Sequence, residues 1–104
     1  MEDPKTFETM TTLRSAIDET DRKIMDLLAR RAALIDRAID LKPADSVPAR
    51  VPWRVEEVAE NARRNATAAG FDPDFAEILW RQMIDWSIAR EERVLGPSKE
   101  EKEK

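Results

Sequence analysis

Residues 13–40 read LRSAIDETDRKIMDLLARRAALIDRAID, and this stretch decides the fold. Its apolar side chains are Leu13, Ile17, Ile24, Leu27, Leu28, Leu34, Ile35, Ala38 and Ile39. They recur mainly at intervals of three, four and seven, which places them on one face of an α-helix. Thr11 or Thr12 can cap its start, and no glycine or proline interrupts it before Pro43. The pattern predicts a helix of about 30 residues, about 45 Å long. A compact domain of this size has a radius of gyration of about 13 Å, so such a rod outreaches a single copy of the chain. Its apolar face continues along the whole length. A second copy is the simplest cover, and an intertwined helical homodimer is expected.

Outward from the rod, Pro43 to Pro52 is a linker of prolines and turn formers. Pro52 suits the first turn of a second helix, which turns Val55, Val58, Ala59, Ala62 and Ala66 inward and stops at Gly70. Asp72 followed by Pro73 reads as the cap and first residue of a third helix. That helix carries Phe75, Ile78, Leu79, Met83, Ile84, Ile88 and Val94 on its inner face and ends at Gly96-Pro97. The fold class is therefore all-α, with three helices per chain, one of them very long. Residues 1–10 form an N-terminal extension, 11–96 the helical domain, and 97–104 a disordered charged tail.

Composition narrows the chemistry. The 104 residues contain no cysteine and no histidine, which excludes disulfides, thiol nucleophiles, zinc fingers and the commonest general base. The commonest metal ligand is missing with it. A net charge of −4 gives no basic face for nucleic acid or an anionic membrane. No apolar run reaches membrane-spanning length and the opening residues show no signal-peptide core, so a cytoplasmic protein is expected.

Several polar residues interrupt this pattern. Arg31 and Lys42 share a face of the first helix, separated by roughly 16 Å along its axis, and their long side chains can converge on one small ligand. Arg14 lies roughly 25 Å from Arg31 on the same rod and reaches that ligand only from an antiparallel partner. Ser87 and Glu91 stand one turn apart beside Trp80, Ile84 and Ile88, a hydroxyl and a carboxyl on a partly apolar stripe. Burial there would favour the protonated, hydrogen-bond-donating form of Glu91. Arg54 can aim a guanidinium at a carboxylate. Each has a plain structural alternative: solvated arginines, Lys42 complementing a helix C-terminus, Ser87 bonded back to its own helix, and Glu91 paired one turn away. Trp53, Trp80 and Trp86 read as core or dimer-interface residues.

The ordered set resembles a family. Leu13-Arg14-Ser-Ala-Ile17-Asp18-Glu-Thr-Asp21, then Ile24-Met-Asp-Leu27-Leu28-Ala-Arg30-Arg31, is similar to the opening of the all-helical chorismate mutases. The likeness runs on through Lys42, Arg54, Gly70-Phe-Asp-Pro73 and Ser87-Ile88-Ala-Arg-Glu91, covering about residues 10 to 95. It implies a homodimer with two shared sites for a small dicarboxylate, chorismate or isochorismate. Each site takes Arg14 from one subunit and Arg31, Lys42, Arg54, Ser87 and Glu91 from the other. The implied catalysis is a pericyclic rearrangement to prephenate that needs no nucleophile, metal or cofactor, in agreement with the absent histidine and cysteine. Cations clamp the carboxylates, while Lys42 and Glu91 address the ether oxygen.

Three positions depart from the family pattern. Val55 stands where many of these mutases place a glutamate against the ring hydroxyl, Val51 replaces an aspartate, and Glu91 replaces a frequent glutamine. A carboxylate facing the ether oxygen repels it, so Glu91 must carry its proton and activity is expected to rise as pH falls. Val55, the Pro48-to-Val55 segment and Trp86 also resemble the isochorismate pyruvate lyases, which make salicylate by a related pericyclic step. A relative acting on an amino analogue of chorismate and a non-catalytic helical binding module remain the other readings.

Overall fold

The computed structural model describes residues 2–41 and 50–95, with side chains as far as Arg93. Lys42, the linker residues up to Ala49, the side chain of Val94, the Gly96-Pro97 stop and the 97–104 tail lie outside the described residues. A short 3-10 turn, Pro4–Thr6, precedes three α-helices: α1 (Met10–Leu41), α2 (Pro52–Ala69) and α3 (Pro73–Leu95). The all-α, three-helix expectation holds, including the one very long helix. The chain divides into two compact units, residues 1–34 and 35–104, with α1 crossing the boundary.

In the first unit, Asp3 caps the 3-10 turn by accepting from the Lys5 amide at 2.9 Å. The cap of α1 is Thr9, not Thr11 or Thr12: its Oγ1 accepts from the Thr12 amide at 3.1 Å, and its carbonyl accepts from Leu13. Thr9 is the residue placed to satisfy an otherwise orphaned amide three positions on. Pro4, Phe7, Leu13, Ala16 and Ile17 line one open cleft of about 550 Å³ with neighbouring polar residues. No residue of α1 is buried. Leu13, Leu28, Ile35 and Ile39 are half-buried, and its other large apolar side chains stay open, from 48% exposed at Ile24 to 69% at Leu27.

The second unit is built on the α2–α3 hairpin. Pro52 opens α2, and the Arg54 and Val55 amides bond to the Val51 carbonyl at 2.9 and 3.0 Å. Gly70 closes it at φ 75°, the left-handed region, where Phe71 donates to Ala66 at 2.8 Å and Gly70 to Thr67 at 3.2 Å. This is the paired-bond ending that glycine accommodates without strain. Asp72 caps α3 as expected, its Oδ1 accepting from the amides of Asp74 and Phe75 at 2.9 and 3.2 Å.

Ala59, Ala62 and Ala66 of α2 are buried, as the spacing predicts, and α3 contributes Ala76. Small side chains let two helices approach closely near the turn. Further from it, Ile84 and Ile88 are buried with Val55 and Val58 packed against them. Phe75 and Ile78, expected inside, are exposed. The stripe of α3 that is buried runs through Ala76, Ile84, Ser87, Ile88 and Glu91, which turns Phe75 and Ile78 to its flanks. Trp53 and Trp86 are exposed as well and are not core residues of this chain.

Ion pairs fix the register. Arg63 reaches Asp74 and Glu77, each at 2.9 Å. Arg81 spans from Glu77 on its own helix to Glu56, which it grips with both terminal nitrogens at 3.1 and 2.9 Å. Arg50 meets Asp85 at 3.3 Å. Partners descend along α2 to Arg50 just before it as they ascend along α3, as an antiparallel hairpin requires. The hydrogen bonds from Arg81 hold the carboxyls of Glu56 and Glu77 below their ordinary value of 4.5, with Arg63 adding to the effect on Glu77.

Carboxyls depressed on folding stabilise above their unfolded values, and that contribution is lost as pH falls through the folded ones. The thermal midpoint is therefore expected to hold from pH 7 to about pH 5 and to fall below about pH 4.5. The fall should be shallower in Arg81→Met; equal acid slopes in the two proteins would contradict the ladder. Gly70→Ala should cost about 1–2 kcal/mol in chemical denaturation from its positive φ alone, because a Cβ there meets open space.

Candidate active site

The second unit brings three of the expected site residues onto one small surface. Ile84, Ser87, Ile88 and Glu91 follow one another on α3 at helical spacing, and all four are buried. Val55 of α2 packs against the Ile84–Ile88 pair. Ser87 is only 6% exposed and Glu91 only 8%. The Ser87 hydroxyl is completely covered, yet its Oγ has no hydrogen-bond partner. It does not bond back to its own helix, the ordinary resting place for a helical serine.

A buried hydroxyl without a partner is costly, by about 1–3 kcal/mol. Native structures retain few such groups, and each calls for a cause. Here the hydroxyl and the carboxyl lie a turn apart beside aliphatic side chains. Polar groups set among aliphatic side chains are the composition of small-molecule sites.

The remaining expected residues are placed as follows. Arg54, in the first turn of α2, is exposed and bonded to Glu57 of the same helix. Arg14 and Arg31 belong to the first unit, where Arg14 is exposed and Arg31 half-buried on α1. Lys42 lies outside the described residues. Among the described residues no group of three or more His, Cys, Asp or Glu side chains is arranged to hold a metal ion. No described helix is long and apolar enough to cross a membrane.

One pair escaped the sequence reading. Arg90 of α3 donates from Nε and Nη2 to the two carboxylate oxygens of Asp36 on α1, at 2.8 and 3.0 Å. Its guanidinium also lies 5.6 Å from the centroid of the Trp86 ring. The partners are far apart in sequence, on two different helices, so no periodicity within either helix announces the pair.

Helices throughout the described residues, one of them a long rod with no buried residue, and a hydroxyl and a carboxyl buried one turn apart describe an all-helical protein. The chain belongs to the chorismate mutase type II family, whose family model matches residues 13–92. It is 33% identical to the T-protein of Enterobacter agglomerans over 82 residues, which are 79% of this chain and 22% of that protein. The chain thus spans about a fifth of the length of that relative. It is 33% identical to the isochorismate pyruvate lyase of Pseudomonas aeruginosa over 92 residues, covering 88% of this chain and 89% of the lyase. It is 31% identical to the 4-amino-4-deoxychorismate mutase of Streptomyces pristinaespiralis over 75 residues, 72% of this chain and 58% of that protein.

The unpaired hydroxyl generates a stability test. Ser87→Ala removes an unsatisfied polar atom, so the ligand-free protein should keep its stability or gain up to about 1 kcal/mol in chemical denaturation. A loss well beyond that would show the hydroxyl bonded within the fold and remove the reason for reading it as a ligand contact.

Proposed function

We propose that this protein is a chorismate mutase, converting chorismate to prephenate in a homodimer whose two sites are shared between subunits. The observation that carries the reading is the covered, unpartnered Ser87 hydroxyl beside buried Glu91. Family membership supplies the substrate class. The uncovered apolar side of α1 supports the dimer, because a second copy of the same helix has the length and pattern to cover it.

The proposed chemistry needs no nucleophile. Arg14 of one subunit and Arg31 and Arg54 of the other hold the two carboxylates, with the fork geometry that guanidinium offers. Clamping both ends of the substrate selects its compact conformer, in which the bond-forming carbons lie close together. As the ether C–O bond breaks, negative charge gathers on its oxygen. Lys42 and Glu91 are the groups proposed to meet that charge, a carboxyl donating there only when it carries its proton, with Ser87 holding the substrate beside them. Ionised Glu91 would face the same oxygen with a like charge and raise the barrier.

A second reading has its own support. Val55 presents an aliphatic wall, and the chain matches nearly the whole of the Pseudomonas lyase. The same clamp serves elimination of pyruvate from isochorismate to leave salicylate. Chromatography of products from purified protein given chorismate or isochorismate separates the two. Prephenate from the first as the dominant turnover is the expected result; dominant salicylate and pyruvate from the second would move the protein to the lyase branch. Turnover of neither substrate above the uncatalysed rate would remove both readings in favour of a binding module.

Substitution isolates Glu91, because the amide of Glu91→Gln donates a hydrogen bond whatever the pH. The kcat of that variant at pH 7.5 should equal or exceed that of the parent protein. A kcat lowered by about ten-fold or more would contradict a hydrogen-bond donor at that position. A further outcome concerns the clamp: a chorismate-like dicarboxylate should raise the thermal midpoint by ligand linkage. Arg31→Ala should abolish that rise while leaving the oligomer intact; a dissociated oligomer would make Arg31 a structural residue instead.

A further inference from the structure

The Arg90–Asp36 pair is not used by the chemistry above, yet Arg90 adjoins Glu91 and lies three residues beyond Ser87. The ladder that sets α3 against α2 and the residue Arg50 before it runs from Asp74 to Asp85. Beyond it, Arg90 ties α3 to the last turns of α1 instead. Two parallel hydrogen bonds fix the plane of a guanidinium as well as its distance. The Trp86 ring, one turn back on α3, stands against the same guanidinium.

Both ions of the pair are 43% exposed, so its value lies in geometry more than in stability. Its hydrogen bonds hold the Asp36 carboxyl below its ordinary value and keep it ionised in mildly acidic solution.

The geometry that matters is rotation of α3 about its axis. Side-chain tips stand about 5–6 Å from a helix axis, so a turn of about 10° moves them by about 1 Å. A misplacement of about 1 Å at a reacting centre can cost about 100-fold in rate. Ile84 and Ile88 are smooth aliphatic surfaces that resist such a turn weakly; a bidentate pair resists it strongly.

We infer that Arg90 and Asp36 are positioning residues, locking the rotation of α3 so that Ser87 and Glu91 face the reacting ether oxygen. The inference rests on the pericyclic reading given under Proposed function, whether mutase or lyase. Neither residue touches substrate; they act through Ser87 and Glu91.

The test compares the parent with Asp36→Asn, Arg90→Gln and the exchanged double variant Asp36→Arg/Arg90→Asp. kcat and KM are measured on chorismate and isochorismate, together with thermal midpoint and oligomer size. Each single variant should lose about ten-fold in kcat with KM changed less than about two-fold and the thermal midpoint nearly unmoved. The exchanged pair should recover to within about three-fold of the parent. Single variants with parental kcat, a loss that follows the thermal midpoint, an effect confined to KM, or no recovery on exchange would each overturn the inference. If the parent turns over neither substrate, the pericyclic reading itself fails and this inference falls with it. An active parent with unaffected single variants removes the inference alone.

Discussion

The constraint on which the structure depends is a 32-residue helix, α1, with no buried residue. Met10, Ile17, Ile24, Met25, Leu27 and Leu34 all stand exposed along its first unit. Burying a large apolar side chain is worth about 1.5–3 kcal/mol, so these half-exposed side chains together represent up to about 10 kcal/mol of unrealised stabilisation. That is comparable with the whole stability of an ordinary domain, about 5–15 kcal/mol. The core that the second unit makes for itself is thin, mostly alanine with two isoleucines. The proposed homodimer is a response to this imbalance, a copy of the same helix being the cover proposed for the exposed apolar side chains of α1.

The proposed site follows from the same economy of parts. The sequence contains neither histidine nor cysteine, and the pericyclic reaction proposed for it asks for orientation and charge, not for a nucleophile. The α2–α3 hairpin supplies a rigid face with a covered hydroxyl and carboxyl among aliphatic side chains. Its ion-pair ladder sets the sliding register of that face, and the Arg90–Asp36 pair links the same helix to α1. Under the proposed reading, arginines distributed along the rod reach the face from two subunits. Dimerisation and catalysis are then one design, since neither site is complete within one chain.

Much of the fold was legible because it is written in local signals. The spacing of Leu13 to Ile39 predicts α1, Pro52 and Gly70 bracket α2, and Asp72-Pro73 opens α3 with the capping bonds expected. The alanine stripe of α2 is buried where its period places it. What was misread depended on choices among local equivalents. Three threonines stand near the start of α1, and the earliest makes the cap. Helix α3 carries apolar residues on more than one side, so periodicity placed Ile84 and Ile88 inward correctly but missed Ala76 and turned the exposed Phe75 and Ile78 inward. The special standing of Ser87 was visible as a polar interruption of an apolar stripe. That its hydroxyl lacks a partner was not, because this depends on every neighbouring atom. Arg90–Asp36 joins separate helices and needed the tertiary structure to be seen.

The shared site is tested most directly by complementation. Arg14→Ala chains and Arg31→Ala chains, each inactive alone, would be co-expressed and purified together, and chorismate and isochorismate turnover measured. In a mixed dimer one site receives both substitutions and the other receives neither. Random pairing should therefore restore about a quarter of the parental activity. A mixture no more active than its components, from preparations shown by mass to contain mixed dimers, would contradict a site built from two chains.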